Sequence, residues 1–361
     1  MMIGLKSCGP ACFLAAMVLV PAAFAAKAPS VPVRNAAKPP PSAKSTVRPP
    51  TVKSDAGAKT ADQPQKIGYA DGVTGWRDLV YATLSGFRPL TLDLYQPRRG
   101  PKDFPKPALI FVHGGGWSDG DARHGGGFDD FPAQLALLAA QNYVVASVNY
   151  RLSGEAHFPA AEQDVKSAIR WLRLHADDYG IDTTRIAIWG EEAGGQLAAL
   201  AGTSCGVAAL EPAASGNQND PSDCVQAVID WHGISDLATL AADSGQTGPG
   251  PETTFLGCDP ASCPPGLVRT ASPVAYVGPN SPPFLIQHGP RKNVPLVQSQ
   301  KLFDALNQAH IPVEQATYAD TDSDVAKKSI DKILEFLGKT FPHAIAGKPS
   351  QQRPKSGPLP Y

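Results

Sequence analysis

Charge is scarce in this chain, and no apolar run reaches the ~20 residues that a membrane helix needs. Asp, Glu, Lys and Arg make up 18% of the 361 residues, and the formal net charge is −1. That balance leaves no electrostatic footprint for nucleic acid, so none is expected as a partner. Cysteines number six, and no two of them form a C-x-x-C pair. Zinc is therefore not expected, and no other metal or cofactor is either. No internal repeat is visible, which excludes a solenoid or propeller. Residues 26–66 almost lack large apolar side chains, which excludes a packed core there.

The N-terminus carries a short positive region at Lys6, the apolar run Ala11 to Val20, and Ala23-Phe24-Ala25 before Ala26. The pattern predicts a cleavable signal peptide over 1–25 and a periplasmic or secreted protein. Export leaves Cys205, Cys224, Cys258 and Cys263. In an oxidising compartment these are expected to form two disulfides, and three connectivities are open. The local pairings Cys205–Cys224 and Cys258–Cys263 are favoured. Residues 26–66 hold eight Lys and Arg against two Asp. They read as a basic, disordered linker rich in Pro, Ala and Lys, suited to a plain tether or to weak contact with an acidic cell envelope. A loose Pro-rich tail is expected over 343–361. The sequence sets no oligomeric state.

Residues 67–342 are expected to form one α/β domain. Buried parallel strands are predicted at Ala108–Val112, Tyr143–Val148, Ile186–Trp189, Ala227–Trp231 and Phe284–Gln287. Thr91–Tyr95 alternates like an antiparallel edge strand. Helical spacing links Val165, Ala168, Ile169 and Leu172, and again Ile330, Ile333, Leu334 and Leu337. Strands alternating with helices imply a sheet covered on both faces, with a ligand site at the strands' carboxyl ends.

Two motifs follow predicted strands. His113-Gly114-Gly115-Gly116-Trp117 comes after ALIFV, where glycines let backbone N–H groups approach an anion. Gly190-Glu191-Glu192-Ala193-Gly194-Gly195 comes after IAIW and opens a helix. With VVASVNYRLSGEAHFPAAEQDVKSAIRWLR (144–173), VIDWHGISDL (228–237), LVRTASPVAYV (267–277) and PPFLIQHG (282–289), these motifs resemble the α/β-hydrolase superfamily. The likeness is to secreted carboxylesterases and feruloyl esterases related to hormone-sensitive lipase. It covers most of residues 70 to 340. It implies an eight-stranded, mostly parallel sheet, an oxyanion hole at Gly114, Gly115 and Ala193, and a Ser-Asp-His triad in that chain order.

Carried over residue by residue, the triad fails at each position. The nucleophile position is Glu192. The acid loop reads Pro290-Arg291-Lys292-Asn293, with no carboxylate. The segment that should hold the histidine, Tyr318 to Asp324, holds none, and Ser323 stands about where it belongs. Serine catalysis needs a base within hydrogen-bond reach and a group that orients the base. Ser118 and Ser204 do not sit on the elbow. His113 and His288 occupy strand ends where structural histidines are common in the family, and His310 and His343 do not replace the missing one. His124, His157, His175 and His232 form no interpretable arrangement. A nucleophilic carboxylate at 192 would be one methylene longer than the Asp some related enzymes use. The expectation is an inactive pseudo-esterase that binds a small ester-like or acidic ligand. In it, the Glu192 carboxylate folds into the former oxyanion hole or across its mouth, and Arg291 or Lys292 pairs with Glu191 or Glu192. The alternative is an ester hydrolase, acting on small esters or on acyl groups of polysaccharides, with a non-standard catalytic set.

Overall fold

The computed structural model describes residues 64–342, apart from 101–102, 126–127, 213–219, 265, 290–293 and 320–323. Contacts divide the chain into residues 1–59 and 60–361, and the described residues all lie in the second unit. The strands are β1 (Gln65–Gly68), β2 (Thr74–Ala82), β3 (Leu90–Gln96), β4 (Lys106–Val112), β5 (Val144–Val148), β6 (Ile181–Glu191), β7 (Ala227–Trp231), β8 (Phe284–His288) and β9 (Val313–Thr317). The helices are α1 (Phe131–Ala140), α2 (Ala160–Leu174), α3 (Ala176–Tyr179), α4 (Ala193–Thr203), α5 (Leu240–Ser244), α6 (Pro251–Leu256), α7 (Leu267–Thr270), α8 (Leu296–Gln308) and α9 (Val325–Thr340).

The strands form one sheet in the order β1-β2-β3-β5-β4-β6-β7-β8-β9. From β5 to β9 every pair is parallel, whereas β1, β2 and β3 pair antiparallel and β3 joins β5 antiparallel. Nine strands are present where eight were expected. The Thr91–Tyr95 strand is antiparallel but interior, because β2 and then β1 lie outside it. Strand β1 also begins at Gln65, inside the segment read as linker.

The central strands read as continuous β-branched and aromatic runs because both faces are covered. Leu197, Leu200, Val165, Ile169 and Leu302 pack one face from α4, α2 and α8. Leu135 of α1 and Ile333 and Leu337 of α9 pack the other. The predicted stripe on α2 is that helix's buried face, whereas on α9 only Ile333 and Leu337 of the predicted four are buried, with Ser329 and Phe336, and Ile330 and Leu334 are half-buried.

Strand order reverses around β4. The chain steps from β4 to β5 on one side, then crosses to place β6 on the other. A crevice opens at the carboxyl ends of strands where the order reverses in this way. The β4–β6 register pairs Val112 with Gly190. It thereby brings residues 113–117 against residues 191–195.

Candidate functional site

Glu192 stands between β6 and α4 with φ 54° and ψ −114°. A residue with a Cβ is strained there by ~1–3 kcal/mol, and such strain collects at functional sites. Three contacts impose it. The Glu192 N–H donates to Trp231 O at 2.8 Å, and its carbonyl accepts from Gln196 N–H at 3.0 Å. The turn also presses α4 onto β4, so that a Cβ on Gly194 would lie 2.1 Å from Val112 O. Only glycine fits there.

The Glu192 side chain does not cap its own helix. Its Oε2 accepts a hydrogen bond from Gly115 N–H at 3.0 Å. Gly115 has φ +93°, and a Cβ on it would meet Asp119 O at 2.4 Å, so the loop needs glycine to aim that N–H. Ala193 is fully buried at the start of α4. The α4 N-terminus favours a nearby anion by ~0.3–1 kcal/mol.

Neighbouring groups hold the glycine loop. Tyr150 Oη donates to His113 O at 3.0 Å. The His113 ring stacks on Tyr150 at 4.3 Å between centroids. His113 Nδ1 lies 2.8 Å from Gly114 O. A carbonyl only accepts, so Nδ1 carries the proton. Burial lowers the His113 pKa to about 4, so the ring is neutral near pH 7. Burial, then the Glu192 charge, pushes the Tyr150 phenol well above its usual range, and it remains a donor. Trp117 Nε1 donates to Gln196 Oε1 at 2.9 Å, and the indole stacks on Phe255 at 4.4 Å.

Two clefts meet at Glu192. One, of about 370 Å³, is lined by Gly116, Trp117, Glu192, Leu240, Gln246 and Glu252 among others. The other, of about 430 Å³, is lined by His113, Gly115, Asp119, His124, Glu191 and Glu192 among others. His124 Nδ1 lies 2.8 Å from Asp121 Oδ1, so an imidazole–carboxylate pair borders the second cleft. Sequence reasoning passed over this pair. Its i,i+3 spacing in a loop is common, and only the fold sets it beside β4 and β6.

A histidine and a serine do meet elsewhere. His288 Nδ1 lies 2.9 Å from Ser299 Oγ. Ser299 is fully buried on α8, and the ring's other polar partner is the Val294 backbone. Burial lowers the His288 pKa. Among the described residues the pair has no carboxylate behind it, and it borders neither cleft. His232 Nε2 accepts from Gly289 N–H at 2.6 Å, which ties the end of β7 to the end of β8. Arg291, Lys292 and Ser323 lie outside the described residues, and so does the pairing expected of the two cations. Among the described residues no group of His, Cys, Asp and Glu could hold a metal ion. The structure bonds Cys205 to Cys224 and Cys258 to Cys263.

The BD-FAE family profile, of an α/β-hydrolase family, matches residues 92–306. Esterase LipC of Mycobacterium tuberculosis is 34% identical over 213 residues, which are 59% of this chain and 50% of that protein. Esterase LipQ of the same organism is 34% identical over 204 residues, 56% of this chain and 46% of the relative. The chain thus spans about half the length of these relatives. Among solved structures, a truncated carbohydrate esterase from gut microbiota aligns with TM-score 0.64 and 28% identity, covering 76% of this chain and 98% of that one. A Thermogutta terrifontis esterase aligns with TM-score 0.60 over 76% of this chain and 94% of its own; at 24% identity it speaks for the fold alone.

Proposed function

We propose, for a chain that belongs to the BD-FAE family of α/β-hydrolases, an exported protein that uses an esterase frame to bind a small ligand without cleaving it. One observation carries this reading: the Gly115 N–H donates to the Glu192 carboxylate. In an acyl-transfer site such a donor is aimed where the substrate's oxyanion develops, and removing one donor costs about 10²–10³ in rate. Here the donor is taken by an anion on the residue that would have to attack. A carboxylate in that place also repels an incoming oxyanion. The relatives' names speak of esterases and of a carbohydrate esterase, so a ligand related to small esters or acylated sugars is the natural starting panel.

A fluorophosphonate probe, which labels activated serines, is expected to leave the purified protein unmarked. Glu192→Ser is expected to stay at background turnover of p-nitrophenyl acetate, because among the described residues no histidine hydrogen-bonds to residue 192. Labelling of the wild-type protein, or turnover by the variant well above background, would overturn the reading.

A second reading, ester hydrolysis by a non-standard set, is favoured by the His124–Asp121 pair on the cleft that Glu192 also borders. In it Glu192 attacks the acyl carbon and expels the alkoxide, which takes a proton from water. His124 then activates a second water that splits the anhydride into the free acid and the Glu192 carboxylate. Wild-type turnover that is lost in both Glu192→Gln and His124→Ala would support it. Turnover untouched by either change excludes it.

A further inference from the structure

Among the described residues, the 370 Å³ cleft carries charge of one sign only. Its described lining includes the carboxylates of Glu192 and Glu252 and the neutral polar groups of Ser244 and Gln246, and contains no Lys, Arg or His. Apolar walls come from Trp117, Ile234, Leu240, Pro251 and Val294. Glu252, in the first turn of α6, is 2% exposed. Among the described residues no group donates a hydrogen bond to its Oε2. No ion pair reaches either carboxylate among the described residues. A buried carboxylate oxygen without a donor is costly, and native structures ordinarily supply one from protein, water or ligand.

We infer that this cleft binds a small organic cation, an ammonium or amidinium group on an apolar body, with Glu192 and Glu252 as its counter-charges. The inference rests on the reading of the cleft as a binding site and names the chemistry of what fills it. An ammonium N–H meets the Glu252 carboxylate where it lines the cleft, and the apolar body covers the aliphatic wall. Glu192 keeps its bond to Gly115 N–H through Oε2, which leaves Oε1 to face the ligand. An anion, including the free acid that an ester would release, meets two like charges on the described lining and is disfavoured. This departs from the acidic ligand that the sequence suggested. That expectation follows from the family's ester chemistry, whereas the charge of Glu252 reaches the pocket only through the fold.

Calorimetric titration of the full chain at pH 7 with three matched probes tests the inference: phenethylammonium, 2-phenylethanol and 3-phenylpropionate. Phenethylammonium is expected to bind at least tenfold more tightly than the alcohol, and the carboxylate not measurably. Glu252→Gln and Glu192→Gln are each expected to weaken phenethylammonium at least tenfold and to leave the alcohol within twofold. The inference is overturned if the alcohol matches the ammonium, if the carboxylate binds better than the ammonium, if none of the three binds, or if both variants bind the ammonium like wild type. The three-probe comparison on the wild-type protein stands even where a variant fails to fold. None of the probes is an ester, so a failure here is separate from any labelling or turnover that would defeat the silent-esterase reading.

Discussion

At Asp230 a single buried carboxyl sets a measurable pH dependence. The residue lies on β7 and is fully buried. Its Oδ1 accepts from Gly233 N–H at 2.6 Å, and no group among the described residues donates to Oδ2. Burial raises its pKa to about 7, and the Gly233 bond only partly opposes that. The folded form therefore holds a proton that the unfolded chain, near the ordinary Asp value of ~3.9, has already released. Between those two values the native state binds more protons, so stability falls as pH rises through that window, by at most ~1.4 kcal/mol per pH unit. Asp230→Asn keeps the acceptor and removes the titration. Urea melts at pH 4.5 and pH 7 are expected to show wild type losing stability relative to the variant as pH rises; parallel behaviour would refute the assignment. Gly115→Ala belongs to the same scale. Its positive φ and the Asp119 carbonyl at 2.4 Å leave no room for a methyl group. The substitution is expected to cost about 1–3 kcal/mol in a denaturant melt.

Elements are tied together by a few buried groups and by the two disulfides. Arg151, just after β5, donates from its backbone N–H, Nε and Nη2 to the Asp164 carboxylate on α2. Both side chains are nearly buried, so removing one partner leaves the other charge stranded. Arg151→Met is expected to destabilise the fold by about 3–5 kcal/mol, read by urea melts. Cys205–Cys224 joins the end of α4 to the approach to β7 across 19 residues. A loop of that size is worth about 3 kcal/mol in the chain-entropy account. The double variant Cys205→Ala/Cys224→Ala is expected to melt several degrees lower, whereas breaking the 5-residue Cys258–Cys263 loop should cost less. Element-level reading of the sequence succeeded where burial was two-sided, as in Val144–Val148 and Ala227–Trp231, and failed at β2 and β9. Strand β2 carries register shifts on either side of Leu79–Val80 and a positive φ at Asp78, which break the alternation. Strand β9 (VEQAT) is a half-exposed edge, so its side chains carry little apolar signal.

For the molecule as a whole, the proposed export predicts a mature chain that begins at Ala26. Intact mass of the secreted protein, with thiol titration, is expected to show that N-terminus and no reactive cysteine; a full-length mass with free thiols would refute it. Residue order alone determined the family frame and that a glutamate stands at the elbow, because glycine turns and apolar strand runs are local signals set by backbone sterics and burial. It also marked Glu192 as the position to explain. Tertiary structure alone decided what Glu192 touches. Gly115 lies 77 positions away and reaches it only because β4 and β6 are sheet neighbours. Glu252 was invisible for a related reason: in PETTFL it reads as an ordinary acidic residue in a first helical turn, and only packing buries it beside the elbow. Charge recognition depends on distance through space and on exclusion of water, and neither quantity is encoded by any short stretch of chain.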